Sequence, residues 1–153
     1  MRHCAAVAAA VVLVTSAGLA YVNYEYYEGT WDALPNFNAL TAAHAGLGAG
    51  FDIGLRDQDD NFGFRFQAYI DIPREGAYTF YTTSDDGSKL YINTALVVNN
   101  DGLHGSQERG GSVTLTAGSH LIEVTYFEKG GDNVLYVQYL SLIHISEPTR
   151  LRR

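Results

Sequence analysis

Between Phe62 and Asp71 the side chains alternate without a break. Phe62, Phe64, Phe66, Ala68 and Ile70 form one set, and Gly63, Arg65, Gln67, Tyr69 and Asp71 form the other. A repeat of two sends the sets to opposite faces of a β-sheet; a helix would need apolar residues recurring about every 3.6 positions. The same alternation returns in segments 77–83, 89–92, 96–98, 113–116, 120–127 and 134–139. Turn chemistry separates them: Pro73-Arg74-Glu75-Gly76, Asp85-Asp86-Gly87, Asn99-Asn100-Asp101-Gly102, Ala117-Gly118-Ser119 and Lys129-Gly130-Gly131-Asp132-Asn133. Short strands at this spacing predict an all-β, antiparallel sandwich or barrel. Residues 34–50 are less regular and rich in Ala and Gly, and read as a loop with at most one helical turn. No internal repeat and no interdomain linker is evident.

Both ends differ from this body. Residues 1–20 read as a secretory signal: Arg2 first, then an apolar run from 4 to 14, then small residues with Gly18 and Ala20 at the −3 and −1 places. The alternative is an uncleaved anchor, for which the run is short against the roughly 20 residues a span needs. Cleavage would remove Cys4, the only cysteine, so neither an internal disulfide nor a multi-cysteine zinc site is expected. Residues 140–153, LSLIHISEPTRLRR, carry three arginines, one glutamate and no aromatic residue. They resemble a translated sequencing adapter; the other reading is a genuine basic tail. The expected domain is therefore 21–139, in a natural chain that continues beyond it.

Those ends dilute the charge. The whole chain has 10 basic and 17 acidic residues and a formal charge of −7. Setting aside Arg2, Arg150, Arg152, Arg153 and Glu147 leaves 6 and 16, a charge of −10. So acidic a body argues against nucleic acid, whose phosphates need a basic face. Nineteen aromatic residues argue against disorder and for an aromatic core.

Several segments, in order, carry a family resemblance. Tyr24-Glu25-Tyr26-Tyr27-Glu28-Gly29 followed by Trp31 resembles the opening strand of the PA14 family, and so does Asp59–Phe66 with the following Ala68-Tyr69-Ile70. The strongest match is GAYTFYTTSDDGSKLYIN, residues 76–93; Leu96-Val97-Val98 and AGSHLIEVTYFE, residues 117–128, complete it. The family's usual Asp-Gly after the Leu-Tyr-Ile strand is Asn93-Thr94 here, which alters a hairpin turn. The resemblance implies a PA14-type β-sandwich or barrel, a module of adhesins, glycosidases and other surface proteins.

Chemistry concentrates at Asp85-Asp86. Adjacent side chains on an extended strand point to opposite faces, so two carboxylates converge on one ion only if the chain turns or their peptide is cis. Calcium, a hard cation taking about six to eight oxygens, suits such a pair. Ser-Asp-Asp-Gly is also good turn sequence without metal. In sugar-binding PA14 lectins, the resemblance implies, the matching pair is cis and holds Ca²⁺, whose open positions accept vicinal sugar hydroxyls. A late loop supplies further ligands there, which points to Asp132 or Asn133; otherwise Gly130–Asn133 is simply a hairpin connection. His104 matches a His-Gly of PA14 loops and either touches ligand or braces its loop.

Elsewhere the signals fall away. Asp57, Asp59 and Asn61 alternate as in an EF-hand, but Phe62 stands in the glycine place and Ala68 in that of the bidentate Glu, so this reads as a solvated turn. No nucleophile elbow, P-loop, zincin or dinucleotide motif occurs. The expectation is a secreted, noncatalytic carbohydrate-binding module with Ca²⁺ at Asp85, Asp86, Asp132 and Asn133. Sugar would contact Asp85, Asp86, His104 and Asn133, with no nucleic-acid partner and no membrane insertion after signal cleavage. The alternatives are a structural or protein-interaction module without a sugar site, or an accessory module of a truncated glycoside hydrolase.

Overall fold

A computed structural model describes residues 9–10, 21–141 and 143–144. The expected leader, apart from Ala9–Ala10, and most of the expected tail lie outside the described residues. The strands are β1 (Ala9–Ala10), β2 (Val22–Glu28), β3 (His44–Gly48), β4 (Phe62–Ile72), β5 (Gly76–Asp85), β6 (Ser88–Ile92), β7 (Ala95–Asn100), β8 (Gln107–Leu115), β9 (Gly118–Glu128), β10 (Val134–Ser141) and β11 (Ile143–His144). A six-stranded sheet runs β3-β2-β4-β9-β6-β7 and a three-stranded sheet runs β10-β5-β8; β1 pairs with β11. Every pairing is antiparallel.

The expected alternation decides which face is dry. Phe62, Phe64, Phe66, Ala68, Ile70 and Ile72 of β4 are all buried, and across the ladder Ile122, Val124 and Tyr126 of β9 join them. Tyr78, Phe80, Leu115, Leu135 and Val137 of the smaller sheet close on the same cluster from the other side. Two sheets burying their inner faces against each other form a sandwich. Its centre is aromatic: Phe64 and Phe66 stack at 5.0 Å, and Tyr26 lies 5.1 Å from Phe64. Each such pair adds about 0.5–1.5 kcal/mol beyond the area it buries.

Two stretches differ from the sequence expectation. Residues 34–50 do contain a short 3-10 turn, Phe37–Ala39, but also β3, a full edge strand paired with β2. Its sequence, HAGLG, has no alternation, because as an edge strand it leaves most of its residues exposed. The second stretch is the first half of β8, Gln107 to Ser112, which pairs with β5 despite its polar and glycine content. Gly111 is required there: a Cβ on it would lie 1.8 Å from the Val97 carbonyl oxygen of the facing strand. The last long strand, β10, reaches Ser141, where it pairs with Tyr78. Among the described residues no helix is long and apolar enough to cross a membrane.

Candidate metal and ligand site

One end of the sandwich brings three buried carboxylates together. There β5 ends at Asp85, β9 ends at Glu128, β10 begins at Val134 opposite Asp85, and β7 hands over to β8 through residues 101–106. The Asp85–Asp86 peptide is cis. Gly87 follows, with no room for a side chain: a Cβ would come within 2.5 Å of the Phe127 ring and 2.9 Å of the Gly102 amide. The Phe127 amide donates to the Gly87 carbonyl at 3.0 Å, stitching the turn to β9.

Asp85 and Asp86 are both buried, with 8% and 6% of their surface exposed. Asp86 is held by main-chain donors: the His104 amide to Oδ1 at 3.1 Å and the Lys129 amide to Oδ2 at 3.0 Å. The main-chain oxygen of Asp85 accepts from the Tyr126 hydroxyl at 2.5 Å. Glu128 is the residue the sequence reading missed. It is fully buried, and neither carboxylate oxygen has a hydrogen-bond partner. Carboxylate oxygens of Asp85, Asp86 and Glu128 lie within 4.8 Å of one another. Among the described residues no lysine or arginine pairs with any of the three.

Crowding like charges away from water has the expected electrostatic effect. Burial pushes the Glu128 carboxyl up to about 7, with Asp86 and Asp85 adding to the shift and the amides of Asp86 and Gly130 opposing it. Burial also raises Asp85, helped by Asp86 and Asp132, against His104 and the Ser106 amide. The Tyr126 hydroxyl is raised too, by burial first and then by Glu128, Asp85 and Asp86.

The other expected residues take distinct places. Asn133, next to Val134, has its Oδ1 buried and without a partner. Asp132 is exposed in the same loop. His104 is partly buried, and its ring nitrogens sit against two main-chain carbonyls, Gly105 at 2.8 Å and Asn100 at 2.9 Å, so the ring braces its own loop. Asp57, Asp59 and Asp60 are exposed, with Arg56 bound to Asp59 at 2.9 Å. Trp31 packs edge-on against Phe37. Tyr136 on β10 is 65% exposed and lies opposite Thr83, two residues from Asp85.

Behind the acidic group is a buried polar network, also unforeseen. Ser88 bonds Ser84 at 2.7 Å and Thr82 at 2.9 Å. The Asn100 amide donates to the Ser84 hydroxyl at 3.2 Å and the Gln107 carbonyl at 2.9 Å, while Gln107 donates back to Asn100 Oδ1 at 2.8 Å. This ties β5, β6, β7 and β8 together under the site. Satisfied buried networks of this kind fix geometry, because every alternative arrangement leaves a polar group unpaired.

The residues present fit a hard cation. A calcium–oxygen bond is about 2.3–2.6 Å, so oxygens around one ion lie up to about 5 Å apart. The three carboxylates fall inside that limit. The unpartnered oxygens of Glu128 and Asn133 are the kind of buried acceptors that a cation satisfies.

The profile of the PA14 domain family matches residues 51–146. The chain belongs to the PA14 domain family, and its fold is the antiparallel β-sandwich of that family. A PA14 sugar-binding domain from an RTX adhesin is similar with a TM-score of 0.64 at 18% identity, covering 82% of this chain and 95% of that one. The PA14 domain of the antifreeze protein MpAFP gives 0.58 at 21%, covering 86% and 82%. A β-glucosidase from Kluyveromyces marxianus gives 0.56 at 15%, covering 82% of this chain but 17% of the enzyme. No curated protein sequence matches the chain.

Proposed function

We propose that this domain is a secreted, noncatalytic carbohydrate-binding module whose sugar site is built on Ca²⁺ held by Asp85 and Asp86. The observation that carries the reading is a pair of residues whose buried oxygens lack partners: Glu128, within 4.8 Å of two buried aspartates, and Asn133, next to the Val134 that pairs with Asp85. Uncompensated buried carboxylates are costly unless a cation joins them. Asp85, Asp86 and Asn133 would hold the ion, with Asp132 at the rim. Bound calcium would supply open coordination positions for vicinal sugar hydroxyls.

The chain's own residues do the positioning. The amides of His104 and Lys129 orient Asp86, and the Tyr126 hydroxyl fixes the main chain at Asp85. His104, pinned between two carbonyls, shapes the loop over the pair. The sugar half of the reading draws on family membership and on the similar domain described as sugar-binding. The test is a glycan array probed with calcium present. Asp85→Ala should abolish both the signal and the rise in melting temperature that calcium gives to the parent chain. Retention of either by the variant would refute the site.

A further inference from the structure

We infer that Glu128 is a calcium ligand of this site, reaching the ion from its buried floor and never touching sugar. This rests on the calcium reading above. The paired aspartates keep 8% and 6% of their surface exposed, whereas Glu128 keeps none. Its strand explains the position. Ile122, Val124 and Tyr126 of β9 point into the core, and the next inward place in that alternation is Glu128. A glutamate is thus delivered to a core position opposite Phe62.

A charged side chain at such a place needs a counter-charge, and among the described residues no lysine or arginine supplies one. Both Glu128 oxygens lack a hydrogen bond, while one oxygen comes within 4.8 Å of both aspartates. The one lysine nearby in sequence, Lys129, is turned away to Asp32 at 2.6 Å. A carboxylate has about four lone-pair sites, so main-chain amides approaching it still leave acceptors free for an ion. Two aspartates and one asparagine are also few ligands for calcium, which takes about six to eight oxygens. Glu128 adds a third negative charge to the set. Ligand charge count is one of the variables that sets calcium affinity.

Metal alone is the probe. Calcium is titrated calorimetrically into the metal-stripped chain, Glu128→Gln and Asp85→Asn. The parent should bind one ion, and Glu128→Gln should bind it roughly tenfold or more weakly. With terbium as a luminescent substitute, Glu128→Gln should show an additional coordinated water. Its calcium-free melting temperature should equal or exceed the parent's, since an unpaired buried charge is gone; a purely bracing glutamate would give a lower one. The Asp85→Asn variant should lose both calcium binding and the parent's glycan-array signal. An affinity for calcium in Glu128→Gln within twofold of the parent overturns the inference and leaves the aspartate site standing. Absence of calcium binding by the parent overturns both.

Discussion

Raising the pH from 5 to 8 without calcium should destabilise this protein. The cause is Glu128, whose carboxyl is raised from 4.5 to about 7 by burial and by Asp86 and Asp85. The folded state keeps a proton there that the unfolded chain has already lost. The stabilising effect is complete below the unfolded value and disappears as pH rises through the folded one. A displacement of roughly 2.5 units corresponds to about 3 kcal/mol, taken as a ceiling because local rearrangement relieves part of it. At about 3–4 °C per kcal/mol for a domain of this size, the melting temperature should fall by up to about 10 °C. Asp85 is shifted in the same direction, by burial first and then by Asp86 and Asp132. Glu25 is lowered, chiefly by its hydrogen bond from Arg65, so its contribution is lost only as pH falls through its folded value, below the ordinary carboxylate range. Thermal melts by circular dichroism in EDTA, at half-unit steps, would measure the curve. Glu128→Gln should flatten it, and so should saturating calcium, which holds all three carboxylates ionised. A calcium-free parent chain as stable at pH 8 as at pH 5 would refute the reasoning.

Other perturbations probe the frame and the rim. Phe64→Ala removes a fully buried ring from the centre of the aromatic stack and should cost about 3–5 kcal/mol in urea unfolding. Gly111→Ala forces a side chain into the Val97 carbonyl and should destabilise by at least about 2 kcal/mol, with β8 losing protection in hydrogen exchange first. Asn100→Leu strips Gln107 and Ser84 of their partner and should cost about 2–3 kcal/mol in the same assay. Tyr136→Ala should leave calcium affinity unchanged but weaken binding to any glycan that reaches beyond the ion, read by glycan array.

Much of the fold could be read from the sequence because burial imposes period two on strands that face a core. The segment from Phe62 to Asp71 is the clearest case, and its inward set is the buried set. β3 escaped because an edge strand buries almost nothing, and HAGLG therefore carries no pattern. The Asp85-Asp86 pair was legible as a motif, since adjacent carboxylates before a glycine are conspicuous. Glu128 was not singled out, because a glutamate at the end of a strand ordinarily faces water. The signal was nonetheless present: the alternation through Ile122, Val124 and Tyr126 extends to it. Recognising that Glu128 meets Asp85 and Asp86 requires knowing that β9 and β5 end at the same end of the sandwich. That is a tertiary fact, absent from any local window. The Ser84, Ser88, Asn100 and Gln107 network was hidden for the same reason, since its members come from four strands.

The central claim is that calcium at the Asp85-Asp86 pair and sugar binding are one linked event. Titration of a glycan identified on the array, at calcium concentrations from none to saturating, measures that linkage directly. The account predicts no detectable affinity in EDTA, affinity rising with calcium until the site is full, and full recovery on adding calcium back. Glycan binding of equal strength in EDTA and in calcium would contradict it.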